Sequence, residues 1–287
     1  MWSRHGFLIS ALAAFLAMGF TGAQAQDLAQ DMSKYDMSKY PDWSGQWMKP
    51  RDLGNGLWDP TKPRAKGQQP PLTPEYQAIY ESRLAEHDAG GLGDDPTAQC
   101  IPHGMPRMMV GVYPMELVVT PKTTYMLSDY NEPRRIFTDG RDWPEQVEPT
   151  FNGYSIGKWI DEDHNGRFNL LEVESRSFKG PRTYEGSGIP LHTDGQSIIK
   201  ERFYLDKADQ NLLHIDVTTI DHALTRPWAV SRPYRREADP IWMFVDCSED
   251  NRHVWVGRDS YFVSADGYLM PTKKDQAPPD LRYFKRR

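Results

Sequence analysis

Two adjacent stretches decide the fold: Ile198-Ile199-Lys200-Glu201-Arg202-Phe203-Tyr204-Leu205, and then Leu212-Leu213-His214-Ile215-Asp216-Val217-Thr218-Thr219-Ile220. They are rich in β-branched and aromatic residues, and the second alternates apolar with polar positions. A period of two is that of extended chain, whose side chains point to opposite faces in turn. The short polar break between them reads as a hairpin turn.

Working outward, the same texture recurs after Cys100. Runs of this kind lie at Met115 to Thr120, Thr123 to Ser128, Arg135 to Thr138, Ser155 to Ile160 and Phe168 to Phe178. Beyond the central pair come Pro227 to Tyr234, Ile241 to Val245 and Tyr261 to Ser264. Each is bounded by Pro, Gly, Asn or Asp, as at Asp139-Gly140, Asn165-Gly166 and Asp194-Gly195. Short strands with no helix-length segment between them argue against a parallel α/β sheet and for an antiparallel meander. The expected fold is mainly β, a meander closing into a water-soluble, lipocalin-like barrel around a hollow. A membrane-spanning barrel would need a continuous outward apolar band. Lys200, Glu201 and Arg202 share one strand instead, and Arg232, Arg235 and Arg236 crowd another.

Before the strands, Thr73-Pro74-Glu75 offers a cap, a first-turn proline and an early acid. Tyr76, Ile79, Tyr80 and Leu84 then share a face. This predicts a helix to about His87, stopped by Gly90-Gly91. Residues 26–72 form a turn-rich arm holding Trp43, Trp47, Trp58 and a tandem DMSKY at 31–40, with the tryptophans expected to cover a core edge. The expected organisation is therefore a signal peptide over 1–25, the arm over 26–72, the helix over 73–90 and the barrel domain over 91–287.

The signal assignment rests on Arg4 near the start, an uncharged run from Phe7 to Phe20, and Ala23-Gln24-Ala25 before Gln26. These are the three regions of a secretory signal, and the run is too short for a span of roughly 20 residues. Cleavage after Ala25 and a periplasmic mature chain with no membrane span follow as expectations. In an oxidising compartment Cys100 and Cys247, the two cysteines of the chain, are expected to pair. Spacing alone leaves two buried thiols as the alternative.

Composition narrows the function classes. The 287 residues carry 34 Lys and Arg against 40 Asp and Glu, a formal charge of -6. There is no basic field to hold nucleic acid. No GxGxxG, GxxxxGK[ST] or HExxH occurs, so the nucleotide-binding and zinc-peptidase signatures are missing and no organic cofactor is indicated. The sequence names no protein partner.

Four motifs carry chemistry. Asp161-Glu162-Asp163-His164-Asn165-Gly166-Arg167, with Glu172 five residues further on, follows a calcium-loop pattern. Asp161, Asp163 and Asn165 would offer side-chain oxygens, Arg167 its carbonyl and Glu172 a bidentate carboxylate. The alternative is a polar hairpin corner, since strands flank it. Gly153-Tyr154-Ser155-Ile156-Gly157 has the letters of a nucleophile elbow but precedes a strand, so Ser155 is expected to be structural. Asp221-His222-Ala223-Leu224-Thr225-Arg226-Pro227-Trp228 gathers carboxylate, imidazole, guanidinium and indole between two strands, at a barrel mouth. Met105, Met108 and Met109 are expected to fill core.

HGMPRMM at 103–109, GYSIGKW at 153–159, DHALTRPW at 221–228 and SADGYLMP at 264–271 resemble a family of uncharacterised exported proteins of Gram-negative bacteria. The resemblance covers most of the chain after about residue 40. It implies a periplasmic, β-rich protein and brings no activity or catalytic residue with it.

The leading expectation is a periplasmic barrel binding a small hydrophobic or aromatic molecule, with Trp159 and Trp228 as walls. Arg134, Arg135, Asp139 and Arg226 would line the mouth. The second is a lyase, isomerase or hydrolase on the same scaffold, with His222 or His192 as general base, Asp221 orienting it and Arg226 stabilising an anion. The third is an interaction module of the cell envelope that uses the tryptophan arm or a strand edge.

Overall fold

Along Leu212–Ile220 every second side chain, Leu213, Ile215, Val217 and Thr219, is buried, and along Ile198–Leu205 so are Ile199, Glu201 and Phe203. The two strands pair antiparallel from Ile198 against Ile220 to Leu205 against Leu213. This is the alternation that puts one face of a sheet on a core. The computed structural model describes residues 35–50, 70–91, 95–110, 113–128, 131–186, 188–241, 246–247, 252–257, 259–264 and 266–279. The 1–25 signal expectation lies outside them.

Among the described residues nine strands close a barrel. They are β1 (Gln46–Met48), β2 (Met115–Val119), β3 (Thr123–Ser128), β4 (Asn131–Phe137), β5 (Tyr154–Ile160), β6 (Leu170–Arg176), β7 (Ile198–Leu205), β8 (Leu212–Ile220) and β9 (Trp228–Arg236). Each pairs with its successor, and β9 returns to β1 through Trp47 against Arg236 and Met48 against Arg235. The expected meander is interrupted once: β4 and β5 run parallel, joined by residues 138–153. Parity explains why. Strand direction reverses at each antiparallel pair, so a ring of nine must contain an odd number of parallel pairs to close, and this ring contains one.

Two departures from the sequence expectation concern where the barrel ends. Residues 46–48, expected in an irregular arm, are the closing strand, and Trp43 and Trp47 are buried core rather than an edge cover. At the other end of the chain, β10 (His253–Val256), β11 (Asp259–Val263) and β12 (Leu269–Pro271) form a separate three-stranded antiparallel sheet. The run expected from Ile241 begins in non-strand backbone, and its remainder lies outside the described residues. Helix α1 (Pro74–Asp88) starts as the sequence predicts, with the Thr73 hydroxyl accepting from the Tyr76 amide and Pro74 in the first turn.

The interior is filled. Leu117, Met126, Ile136, Leu171, Val173, Ile199, Phe203, Leu213, Ile215 and Val217 are all buried members of one core. Trp43 packs on Trp159 and Phe203 at centroid distances of 4.9 and 6.0 Å, and Tyr40 meets Trp159 edge-on at 5.5 Å. The 3₁₀ turn Arg107–Val110 adds Met108, Met109 and Val110, where the Met109 carbonyl accepts from the Tyr234 hydroxyl (2.5 Å) and Arg232 Nε (3.2 Å). The methionines are core filler, as expected. The expected hollow is instead occupied by these side chains, because large residues alternate inward on neighbouring strands and fill the radius of a small barrel.

One polar layer runs through this core. Arg134 on β4 donates to Ser155 on β5 (3.2 Å), Ser175 on β6 (2.9 Å) and both carboxylate oxygens of Glu201 on β7. The outward face carries charge, with Lys158 opposite Glu172, Glu172 opposite Arg202, and Lys200 opposite Glu174. Among the described residues no helix is long and apolar enough to cross a membrane. Cys100 and Cys247 stand at disulfide distance, Cα to Cα 5.5 Å.

Candidate functional site

Residues 177–197, between β6 and β7, and residues 221–227, between β8 and β9, emerge at the same end of the barrel, since Ile198 pairs with Ile220 and Thr219 with Trp228. Helix α1 is tied to this end: Leu72 bridges Leu224, and the Thr73 amide donates to the Ala223 carbonyl at 2.8 Å. Three chain segments thus meet where the sequence expected a mouth.

Asp221 fastens them. Its Oδ1 accepts from the amides of His192 and Ala223, both at 2.9 Å, and its Oδ2 from the Ser197 hydroxyl at 2.5 Å. The same Ser197 oxygen accepts from Arg182, which also donates to the Met105 carbonyl at 2.9 Å. Burial pushes Arg182 down to about 10, against the opposing pull of Asp221, Tyr184 and Asp194. Asp221 is therefore a buried loop clamp, and the expectation that it orients His222 is corrected. Its oxygens are consumed by backbone and serine donors, while the adjacent imidazole points outward.

The acid that meets the imidazoles is Asp194. Its Oδ2 lies 2.5 Å from His222 Nδ1 and 3.2 Å from His192 Nδ1. The two imidazole rings stand nearly perpendicular at 5.6 Å, and Tyr76 of α1 flanks His192 at 5.4 Å. Burial works to raise the Asp194 carboxyl. The Gln196 amide, the His222 contact and the charges of both imidazoles outweigh it and hold the group below the ordinary carboxylate range. Sequence reading missed Asp194 because Asp194-Gly195 looked like a turn marker; the signal available was the His192-x-Asp194 spacing.

The expected ligand-binding set does not gather here. Trp228 does, half-buried and edge-on to buried Tyr184 at 5.3 Å, with Arg226 exposed in the same turn. Trp159 belongs to the aromatic cluster with Tyr40 and Trp43. Arg134 is sealed in the polar layer, Arg135 is exposed on the barrel's outside, and Asp139 is paired with Arg141 in the β4–β5 connection at 2.6 Å. Alternation along β4 separates Arg134 from Arg135, since adjacent residues in a strand face opposite ways. Ser155 faces the interior, as the strand context predicts. Its neighbour Gly153 sits at φ +70° with its Cα hydrogens against Phe178, and Gly157 lies against Ile136 and Leu171.

The calcium-pattern residues form the β5–β6 hairpin corner. Asp161 accepts from the amides of Asn165 (3.1 Å) and Gly166 (2.7 Å), and Asn165 accepts from the Arg167 amide (3.0 Å). Asp163 takes Lys207 (2.9 Å) and Asn169 (2.8 Å), while Glu172 lies in β6 opposite Lys158 and faces Arg202 at 3.5 Å. The protein turns each of these acids to its own donors. Near them lies a cleft of about 1190 Å³ lined by Glu162, Asp163, Arg202, Tyr204, Asp206 and Arg236 among others. Among the described residues, three His, Cys, Asp or Glu ligand atoms gather within 4.8 Å of one another at His192, Asp194 and His222.

Compared with protein-family models, curated proteins and solved structures, the chain matches none.

Proposed function

We propose that the chain is an exported small-molecule-binding barrel whose working site is its histidine rim rather than its interior. The molecule is hydrophobic or aromatic with one polar end. Trp228 and Tyr76 supply apolar walls, and His192 and His222 take the polar end. The observation that carries this is the convergence of both imidazoles on one carboxylate, 2.5 and 3.2 Å away, at an end where three loops meet. The filled interior leaves the rim as the place where a guest meets aromatic and polar groups together.

Tryptophan fluorescence titrated with 2-naphthoate and 2-naphthol tests this. Saturable change in the wild type, weakened in His222→Ala and in Trp228→Leu, is expected. A non-saturating response, or binding by both variants as tight as by the wild type, overturns it.

A second reading, proton transfer on the bound molecule, is favoured by the His222–Asp194 contact. A carboxylate at 2.5 Å fixes an imidazole's orientation, as a general base requires. A screen across esters, lactones and enolisable ketones, with Asp194→Asn as the comparison, decides it. Turnover must appear and fall in the variant, and indifference to Asp194→Asn removes the reading.

A further inference from the structure

Asp194 Oδ2, His192 Nδ1 and His222 Nδ1 lie within 4.8 Å of one another at the barrel rim. The Asp194 amide donates to His192 Nδ1 at 3.1 Å, a hydrogen bond that an ion bound at this nitrogen would replace, and the same nitrogen lies 3.2 Å from the carboxylate oxygen. His222 Nδ1 approaches the same oxygen to 2.5 Å. The three atoms are close enough for a single ion to contact all of them.

We propose that His192, Asp194 and His222 bind one divalent first-row transition metal ion, of the zinc class. This rests on the reading that the histidine rim is the working site, and it names the group that anchors the polar end of the bound molecule. Two nitrogen donors and one carboxylate suit zinc and its neighbours, whereas calcium and magnesium favour all-oxygen shells. Donors about 2.0–2.1 Å from a tetrahedral ion lie roughly 3.3 Å apart. The 3.2 Å separation already matches, and the 2.5 Å one has to open by less than about 1 Å, which a rotation of exposed His222 supplies.

The surroundings are those of a supported, open site. The Gln196 amide holds the second oxygen of Asp194 at 3.0 Å, and Asp221 pins the backbone of His192 at 2.9 Å. Such outer contacts orient ligands and tune affinity. His222 has a side-chain exposure of 63%, so a fourth coordination position faces solvent, as in catalytic rather than structural zinc sites. A carboxylate, phenolate or carbonyl oxygen of the rim's guest fits that position. A carboxylate or phenolate there would otherwise meet the negative charge of Asp194 without a cation between them.

The test is calorimetric titration of chelator-stripped purified protein with zinc sulfate, backed by native mass spectrometry and by the visible spectrum of the cobalt-loaded protein. One ion per chain is expected. Affinity should fall about tenfold or more in each of His192→Ala, His222→Ala and Asp194→Asn, and stay unchanged in the hairpin variant Asp163→Asn. The cobalt bands should shift in His222→Ala, whose exposed side chain is removable without touching the core. Absence of zinc heat, or zinc bound by both histidine variants as tightly as by the wild type, overturns the proposal. If stripped protein still binds 2-naphthoate in a His222-dependent way while zinc does not bind, the metal inference alone falls. If zinc binds and no aromatic probe does, the small-molecule reading alone falls.

Discussion

Arg134 and Glu201 form a buried ion pair that reaches from β4 to β7, over the two serines of the intervening strands, Ser155 and Ser175. Both side chains are within 1% of complete burial. A charged pair removed from water stabilises little by itself, but leaving one partner alone is severe. Glu201→Ala should therefore destabilise by about 3–5 kcal/mol, and the double change Arg134→Met with Glu201→Leu by far less. Denaturant unfolding of the three variants checks this, and equal losses for the single and the double change would contradict it.

His103 gives the fold an acid limb. Burial, with Arg107 nearby, depresses its imidazole to about 3 from an ordinary 6.5, with Asp95 opposing the shift. As pH falls, the unfolded chain takes up this proton first. Stabilisation present above pH 6.5 is thus lost progressively down to about 3, on the order of a few kcal/mol. Thermal melts from pH 7 to 4 should show the loss, and His103→Gln should flatten it; an unchanged pH slope in that variant would be the adverse result.

Gly153 occupies left-handed backbone, where an added Cβ would come within 2.4 Å of the Phe178 ring and 2.7 Å of the Arg176 carbonyl. Gly153→Ala combines that clash with an unfavourable φ. It should destabilise by roughly 1–3 kcal/mol or more, whereas Gly140→Ala, with no heavy atom within 4 Å, meets the φ penalty alone. Comparable melting temperatures for the two variants would refute the packing account.

The Cys100–Cys247 pair closes a loop over a sequence separation of 147. In the chain-entropy description such a link stabilises by about 5 kcal/mol. Thiol titration of the unfolded, unreduced protein should find no free thiols, and Cys247→Ser should lower the melting temperature; two titratable thiols would remove the link.

Strands built from full-length β-branched and aromatic runs were legible from sequence: Thr123–Ser128, Ile198–Leu205 and Leu212–Ile220 run between the residues that the sequence pattern predicts. Pieces too short for a period to register were not. Gln46–Met48 is too short to show a period and is specified by its partners β2 and β9 rather than by its own residues. The parallel seam was hidden because residues 138–153 read as an ordinary loop, and nothing local distinguishes a turn back from a crossing. At the rim, His192 and His222 were singled out and do converge. Asp221 and Asp194 exchanged roles, since whether an acid turns toward backbone amides or toward an imidazole depends on loop packing that sequence spacing does not encode.

The manner in which the ring is completed sets an order of events. β1 leaves the ribosome first, yet its Trp47 pairs with Arg236, whose guanidinium lies 4.4 Å over the indole and donates to the carbonyls of Asp42 and Ser44. The founding strand must wait, unpaired on one edge, until almost every other ribbon has been synthesised. A chain cut short before residue 236 keeps that edge bare, and bare edges template aggregation. Maturation is thus gated by the last barrel strand to arrive, and slow, non-local folding is the price of a ring without a free edge.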